Sequence, residues 1–451
     1  MNVVIAGAGS VGFQIGSQLI NEGKDVVLIE ANPERAKYAS SHLDCIVICG
    51  NAHSLEDLKK AGISSADYFI SVTRSDEVNM IACALVSSEF SNVKTKIARI
   101  RSTEFHDTNL IKNKYLGIDF IINPEIEIAK VISNITAHGA VSNVVHFEKA
   151  FFQLRNITIT EKSFFVDKSL KEIKDTVLED FLIVTILRNN EIIIPTGNFI
   201  IRKDDSIYIA GSDKSIDKVF KKAGLIKTDV KKIVIVGGGN ICRNLLTFLY
   251  TEGHKITIIE KNYNICKELS NDFSNALVVN ADITDESIYE EELLSTYDLI
   301  ITITNNEELN ILSAIYAKKI GIKRAIALVL NNNYLSLSSH LGIDSVVSPK
   351  TSSVDSILRV LRRGNITNVH SLYQGKAEIL EFAIDSNSPV VNKLLKNLNL
   401  PDNTLIIGIT SNGENIIPNG NYEIKINDVV LIITLKNQIE NVENTFLSEI
   451  V

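Results

Sequence analysis

The chain has 451 residues, of which 45% are hydrophobic and 22% charged, and its formal net charge is -8 at pH 7. This length predicts about three or four domains instead of a single core, and the composition is typical of globular α/β proteins. The acidic balance argues against nucleic acid or an anionic lipid surface as the main partner, because both attract a basic protein face.

The apolar runs, such as residues 429–433, are of strand length and fall short of the roughly 20 residues of a membrane helix. The N-terminus leads directly into a strand and lacks the basic segment of a secretory signal. The cysteines form no C-x-x-C pair, and no histidine stands at zinc-binding spacing; they are Cys45, Cys49, Cys83, Cys242 and Cys266. We therefore expect reduced thiols, no metal site and a cytoplasmic protein.

Residues 1–122 alternate short apolar runs with helical segments, which predicts a doubly wound, parallel, Rossmann-like domain that we call N1. Its expected strands are residues 3–6, 26–29, 45–48, 68–72, 96–100 and 120–122, with helices at 11–21 and 77–89. The pattern of residues 141–226 predicts a small α+β domain, which we call C1, with a helix-capable stretch at 169–174 followed by antiparallel strands.

The same order recurs in residues 231–348 (N2) and 366–450 (C2), so an internal duplication governs the chain. The expected strands of N2 are residues 233–236, 256–259, 276–279, 299–302, 325–329 and 345–347. The duplication of the small domain rests on matching Pro195 with Pro418 and Asp205 with Asp428, and C2 has a helix-capable stretch at 393–398. Helical connectors are expected at 124–136 and 352–363.

Gly7-x-Gly9-x-x-Gly12 lies between a predicted strand and a predicted helix, as in dinucleotide-binding domains. Gly7 allows the tight turn, Gly9 lets the pyrophosphate approach the backbone, and Gly12 permits close packing of helix on strand. The helix N-terminus then offers N–H groups to the phosphates. Glu30 ends the second strand, where a carboxylate accepts ribose hydroxyls and repels a 2′-phosphate. This pattern favours NAD or NADH over the phosphorylated cofactor.

The second copy of this motif is incomplete. Gly237 and Gly239 are present, and Glu260 stands at the same spacing as Glu30, but Cys242 replaces the third glycine. A side chain there is expected to press on the contact between helix and strand. For N2, weak binding or a different adenine nucleotide is therefore as consistent with the sequence as NAD.

Four further stretches of N1 come in a fixed order: GNA at 50–52, AGI and AD within 61–67, SVTRSDEVNM at 71–80 and IARIR at 97–101. Together they closely resemble the regulator of potassium conductance (RCK, or KTN) domain, whose small partner is the RCK C-terminal domain. With two of each and no pore segment, nearly the whole chain resembles the TrkA family, the cytoplasmic nucleotide-binding subunits of Trk potassium-uptake systems.

The resemblance implies which residues contact nucleotide. In N1 the phosphate-binding loop is formed by Gly7, Ala8, Gly9, Ser10, Val11 and Gly12, and Glu30 is the carboxylate that contacts the ribose. Thr73 and Arg74 follow the fourth strand, and Arg99 follows the fifth. The corresponding residues of N2 are Gly237, Gly238, Gly239, Asn240, Ile241, Glu260, Thr304 and Asn305. Leu328 occupies the place of Arg99, so N2 lacks that cation.

The resemblance further implies a regulatory subunit that binds NAD(H), with ATP or ADP as an open alternative, and that gates a Trk-type integral membrane potassium transporter. It implies a homo-oligomer, expected to be a tetramer that forms a ring of RCK domains on the inner face of the plasma membrane. No catalytic residue is expected. Two alternatives stay open: an NAD-dependent oxidoreductase, for which the small domains offer no proton-handling residue, and a nucleotide sensor of another cation transporter, which would share every motif.

Overall fold

The computed structural model describes residues 1–102, 105, 114, 116–137, 144–147, 152–161, 163–177, 179–189, 191–222, 230–250, 253–331, 334, 341–361, 366–373 and 376–447. The chain forms two compact units, residues 1–127 with 350–364 and residues 128–349 with 365–451. The first unit contains N1, and the second contains C1, N2 and C2.

N1 is a parallel six-stranded sheet with the order β3-β2-β1-β4-β5-β6, as the alternating pattern predicts. Its strands are β1 (Asn2–Ala6), β2 (Asp25–Glu30), β3 (Ile46–Cys49), β4 (Tyr68–Ser71), β5 (Thr95–Arg99) and β6 (Phe120–Ile122). The helices are α1 (Ser10–Asn21), α2 (Pro33–His42), α3 (Leu55–Lys60) and α4 (Asp76–Glu89), with a 3-10 turn at Ile63–Ser65. Side chains fix three of these starts, because Asn32 caps α2, Ser54 caps α3 and Ser75 caps α4.

N2 repeats this topology with the order β14-β13-β12-β15-β16-β17. Its strands are β12 (Lys232–Val236), β13 (Lys255–Glu260), β14 (Ala276–Asn280), β15 (Leu299–Thr302), β16 (Arg324–Leu328) and β17 (Ser345–Val347). The helices are α8 (Asn240–Leu249), α9 (Tyr263–Asp272), α10 (Ser287–Glu291) and α11 (Glu307–Ile320), with a 3-10 turn at Leu294–Thr296.

The two predicted connectors are helices, α5 (Pro124–Ala137) and α12 (Pro349–Leu361). Each contributes to the core of the other half. Ile128, Ile132 and Ile135 of α5 lie in the core of N2, whereas Ile357 and Leu358 of α12 lie in the core of N1. The helix that follows one Rossmann-like sheet therefore belongs to the core built around the other.

C1 and C2 each contain an antiparallel sheet, with the orders β10-β9-β11-β8-β7 and β18-β19-β22-β20-β21. C1 consists of β7 (Val144–His146), β8 (Gln153–Thr158), α6 (Leu170–Thr176), β9 (Phe181–Arg188), β10 (Glu191–Ile193), β11 (Ser206–Gly211) and α7 (Asp213–Lys222). C2 consists of β18 (Ile366–Leu372), β19 (Ala377–Ala383), β20 (Thr404–Ser411), β21 (Glu414–Ile416), β22 (Val429–Leu435) and α13 (Ile439–Phe446), with 3-10 turns at Leu395–Asn397 and Lys436–Gln438.

The helix-capable stretch 393–398 forms only a 3-10 turn, Leu395–Asn397, where C1 has the α-helix α6. The difference lies at the first residue. Ser169 begins α6 with a capping box, in which its hydroxyl accepts the N–H of Glu172 and the Glu172 carboxylate accepts the N–H of Ser169. Leu394 stands at the corresponding position of C2 and offers no capping side chain, so the first turn lacks this stabilisation.

Candidate functional site

The N1 candidate site lies where β1, β2, β4 and β5 end, because the carboxyl ends of parallel strands meet at one edge of a sheet. Gly7 follows β1 with φ +101°, a left-handed conformation that favours glycine. A Cβ on Gly12 would lie 1.9 Å from the carbonyl oxygen of Gly7, so no side chain fits between loop and helix. The turn and packing roles predicted for these two glycines are thus visible in the geometry.

Gly9 differs from these two glycines, because neither its backbone nor its surroundings require it. It precedes α1 with φ -68° and ψ -175°, which other residues adopt. No described atom lies within 4 Å of a Cβ placed on it. Ala8 and Ser10 flank it, and the free N–H groups at the start of α1 follow. The protein leaves open the space through which a pyrophosphate would approach.

Glu30 ends β2 and is only 8% exposed. Its carboxylate accepts the N–H of Ala8 through Oε2 at 2.7 Å and the N–H of Asn32 through Oε1 at 2.9 Å. These bonds hold the glycine loop against the end of β2, a structural task that the sequence prediction did not include. Each oxygen accepts one hydrogen bond and keeps capacity for a second, so a ribose hydroxyl remains a possible partner.

Asn79 connects the ends of β4 and β5, and the sequence analysis did not identify it. This buried side chain accepts the N–H of Thr73 at 2.9 Å and its hydroxyl at 2.7 Å, and it donates to the carbonyl of Arg99 at 2.8 Å. It therefore fixes the positions of two predicted ligand contacts. The internal repeat could have revealed it, since Asn310 follows Thr304 at the same spacing.

Arg99 ends β5, and its Nε is buried without a hydrogen-bond partner among the described residues. Burial lowers the pKa of Arg99, the neighbouring Arg101 lowers it further, and Asp76 and Glu125 oppose the shift. A buried guanidinium N–H without a partner costs free energy unless an acceptor arrives. Arg74, in contrast, is exposed after β4. The open loop, the carboxylate and this guanidinium together fit a dinucleotide.

N2 reproduces the loop of N1 closely. Gly237 has φ +105°, and Gly239 precedes α8 with φ -70° and ψ -171° and no described atom within 4 Å of a Cβ on it. Glu260 accepts the N–H of Gly238 at 2.7 Å and the N–H of Asn262 at 2.7 Å. Asn240 and Ile241 begin the helix, and Asn305 is exposed at the place of Arg74.

The residues that distinguish N2 lie in its core. Cys242 is buried, and burial raises the pKa of its thiol to about 12, so the group is neutral. The φ of the turn glycine and the dihedral angles before the helix differ from those of N1 by only a few degrees, so the expected pressure of Cys242 is not seen in these angles. The carbonyl of Leu328 accepts the side-chain N–H of Asn310 at 3.0 Å, as that of Arg99 accepts Asn79, while the Leu328 side chain packs in the core. Hence N2 keeps the backbone cradle but lacks the buried cation.

No helix in the described part of the chain is long and apolar enough to span a bilayer. Within the same residues, histidine, cysteine and acidic side chains form no group that could hold a metal ion.

Comparison with protein families identifies the four domains. The TrkA-N domain model matches residues 3–124 and 233–349, and the TrkA-C domain model matches residues 154–224 and 379–447. The chain belongs to the TrkA family. It is 31% identical to the Trk system potassium uptake protein TrkA of Halomonas elongata over 99% of this chain and 98% of that protein. The protein of the same name from Azorhizobium caulinodans is 32% identical over the same shares of each chain.

Solved structures show the same fold. The GsuK channel bound to NAD matches with a TM-score of 0.58 at 15% identity, covering 98% of this chain and 78% of that chain. The GsuK RCK domain matches with a TM-score of 0.59 at 16% identity, covering 98% of this chain and 94% of that chain. The expected architecture of tandem RCK domains is confirmed. The relatives named above are potassium-uptake proteins and not oxidoreductases, so the prediction that the chain is not an enzyme is also confirmed.

Proposed function

We propose that this chain is the regulatory subunit of a Trk-type potassium transport system and that it responds to NAD(H) bound in N1. The observation that supports this most is the N1 cleft, in which an unobstructed glycine loop lies at the same sheet edge as the half-buried Arg99, whose buried Nε has no partner among the described residues. Membership of the TrkA family supports the transport role, and the NAD-bound GsuK channel shares the fold.

Each residue of the N1 cleft has a defined task in this proposal. The N–H groups from Gly9 to Val11 bind the pyrophosphate at the start of α1. Glu30 accepts ribose hydroxyls, and its charge disfavours a 2′-phosphate, so NAD(H) is preferred over the phosphorylated cofactor. Arg99 binds a phosphate or ribose oxygen, while Thr73 and Arg74 line the cleft. The nucleotide acts as a ligand that binds one conformation better than another, which is the only way a ligand shifts such an equilibrium.

N2 is proposed to bind NADH more weakly than N1, or to prefer another adenine nucleotide such as ATP or ADP. Its loop and Glu260 support nucleotide binding, with Thr304 after β15 as the counterpart of Thr73. Asn305 and Leu328 stand at the places of Arg74 and Arg99, so phosphate charge is less well neutralised. A charge-assisted hydrogen bond contributes about 1.5–3 kcal/mol, so losing the Arg99 contact alone weakens binding about tenfold or more.

The proposed partner is an integral membrane potassium transporter of the Trk type, reached from the cytoplasmic face through protein contacts. Chains assemble into a homo-oligomer, proposed to be a tetramer whose RCK domains form a ring. A net charge of -8 supports recruitment by protein and not by nucleic acid or anionic lipid.

Calorimetric titration of the full chain with NADH tests the ligand assignment. Arg99→Ala should weaken binding about tenfold or more, because it removes a charge-assisted contact. Arg101→Ala is the matched control, since this exposed arginine makes its described hydrogen bonds through the backbone. Equal affinity in wild type and Arg99→Ala would remove Arg99 from the site.

Potassium flux tests the regulatory role. In liposomes that contain a Trk-type transporter, adding the chain should make flux depend on nucleotide, and Arg99→Ala should reduce the NAD(H) response without preventing complex formation. Flux that ignores the subunit at every nucleotide tested, although the complex forms, would overturn the proposal.

A further inference from the structure

C1 and C2 pack against each other through equivalent faces of their sheets, within the second compact unit. Leu154 and Val184 of C1 and their counterparts Ile379 and Ile407 of C2 are buried in one shared apolar cluster. The strands correspond closely, because β9 and β20 both carry a register shift at the centre of this face. The contact thus joins two copies of the same surface, as in a two-fold dimer.

The paired faces differ in the size of one key residue. Phe152 of C1 is 2% exposed, and its ring lies against Gly408 of C2 so closely that a Cβ on Gly408 would stand 2.8 Å from the ring carbon Cε2. The repeat of Gly408 in C1 is Thr185, since Gly408 pairs with Leu431 as Thr185 pairs with Tyr208. C1 therefore carries a branched side chain where C2 has none.

The opposite side of the contact shows the reverse relation. The repeat of Phe152 in C2 is Ala377, because each directly precedes the first residue of a matching pair, Gln153 with Gly211 in C1 and Glu378 with Thr434 in C2. C2 is small where C1 is large at this position.

Two further positions reinforce the mismatch. Ala210 of C1 corresponds to Ile433 of C2, so here C2 supplies the larger side chain to the cluster. Tyr208 of C1 corresponds to Leu431 of C2. The ring of Tyr373 meets Tyr208 edge to face at 5.3 Å, and its hydroxyl donates to the carbonyl of Ser206 at 3.2 Å. The two faces complement each other in size and are not interchangeable.

Like-with-like pairing would lose this fit. In a contact of two C1 domains, each Phe152 ring would meet Thr185 where even a Cβ has no room, and overpacked cores are destabilised. In a contact of two C2 domains, Ala377 would face Gly408 and leave unfilled space, which also costs stability. Linkage in one chain further favours C1 with its own C2, because it raises their effective concentration.

We infer that the C1 face is a selective docking surface for a C2 face and rejects a second C1, with Phe152 on Gly408 as the selecting contact, while linkage in one chain makes its own C2 the partner. C1 and C2 of a chain are thereby held together within the second compact unit, while chains assemble through other surfaces.

A double-mutant cycle on the full chain tests the contact. Gly408→Leu should lower Tm by several degrees, because the leucine side chain clashes with the Phe152 ring. Phe152→Ala should also lower Tm, because it leaves a cavity where the ring was. The double variant should lose less than the sum of both, because leucine enters the space that the ring leaves. Gly197→Leu is the matched control, since this C1 glycine has an ordinary φ and no described atom near its Cβ. Additive losses would overturn the assignment of the selecting contact.

Cross-linking the full chain tests the choice of partner, and it does not depend on the Gly408 variant folding. Ser206→Cys with Tyr373→Cys should give a link within one chain under a short bismaleimide, mapped by peptide mass spectrometry. The two single variants, co-expressed with different tags, should give no covalent dimer above the wild-type background from exposed Cys49. No link within the double variant, or dimers from the co-expressed singles, would overturn selective pairing within a chain.

Discussion

Replacing Gly9 with valine is expected to abolish NADH binding in N1 while the nucleotide-free protein stays folded. The backbone at Gly9 suits valine, and no described atom obstructs its Cβ. Replacing a glycine reduces the conformational entropy of the unfolded chain and so stabilises the folded protein by about 0.4–1 kcal/mol. Glycine is a better helix N-cap than valine, and losing it costs a similar amount, so the net change in stability is small. In the complex, valine occupies the approach to the α1 N–H groups. Each charge-assisted hydrogen bond lost costs about 1.5–3 kcal/mol, or roughly 10- to 150-fold in affinity.

Two measurements on the full chain decide this prediction. Calorimetry with NADH should show the tighter site lost in Gly9→Val and kept in Gly239→Val, the matched change in N2, which has the same open geometry. Thermal denaturation without nucleotide should give nearly equal Tm values for both variants and wild type. Unchanged NADH affinity in Gly9→Val refutes the ligand role, and a large fall in its Tm refutes the argument that only a ligand needs this space.

Two further predictions concern buried polar groups. Asn79→Asp keeps the acceptor for Thr73 but loses the donor to the carbonyl of Arg99 at 2.8 Å. The free energy of unfolding should fall by about 1–3 kcal/mol, and NADH affinity should drop. Unchanged values in denaturation and calorimetry would contradict this role of Asn79. Burial raises the pKa of Asp298, but hydrogen bonds from Lys323 and two backbone N–H groups outweigh it and hold this pKa below its ordinary value. The stability that the Asp298 carboxylate contributes is therefore present above the pKa of the unfolded chain and is lost as pH falls. Asp298→Asn should make the loss of folding stability between about pH 5 and pH 3 less steep than in wild type. Urea denaturation in which the stability of the variant falls with pH in parallel with wild type would refute this prediction.

The sequence by itself determined the strands and helices of the two Rossmann-like domains and their order, though not the 3-10 turn at Leu395–Asn397 in place of a helix. Alternating apolar runs predicted both parallel sheets, because strand and helix periodicity are local properties of the chain. The roles of Gly7 and Gly12 also followed from sequence, since a tight turn between strand and helix limits side chains in any such loop. The loss of the cation at Leu328 was visible in the repeat alone, and the structure places this side chain in the core of N2.

The tertiary structure decided what those elements pack against. The connectors α5 and α12 were predicted as helices, but their apolar faces would fit either Rossmann-like core, and only the folded chain assigns each to the other half. Asn79 looked like any helix residue until the fold brought the ends of β4 and β5 to its side chain. The fit of Phe152 to Gly408 joins residues far apart in sequence. Periodicity and motif spacing report on neighbours along the chain, whereas the choice among equally apolar partners depends on shapes that exist only after folding.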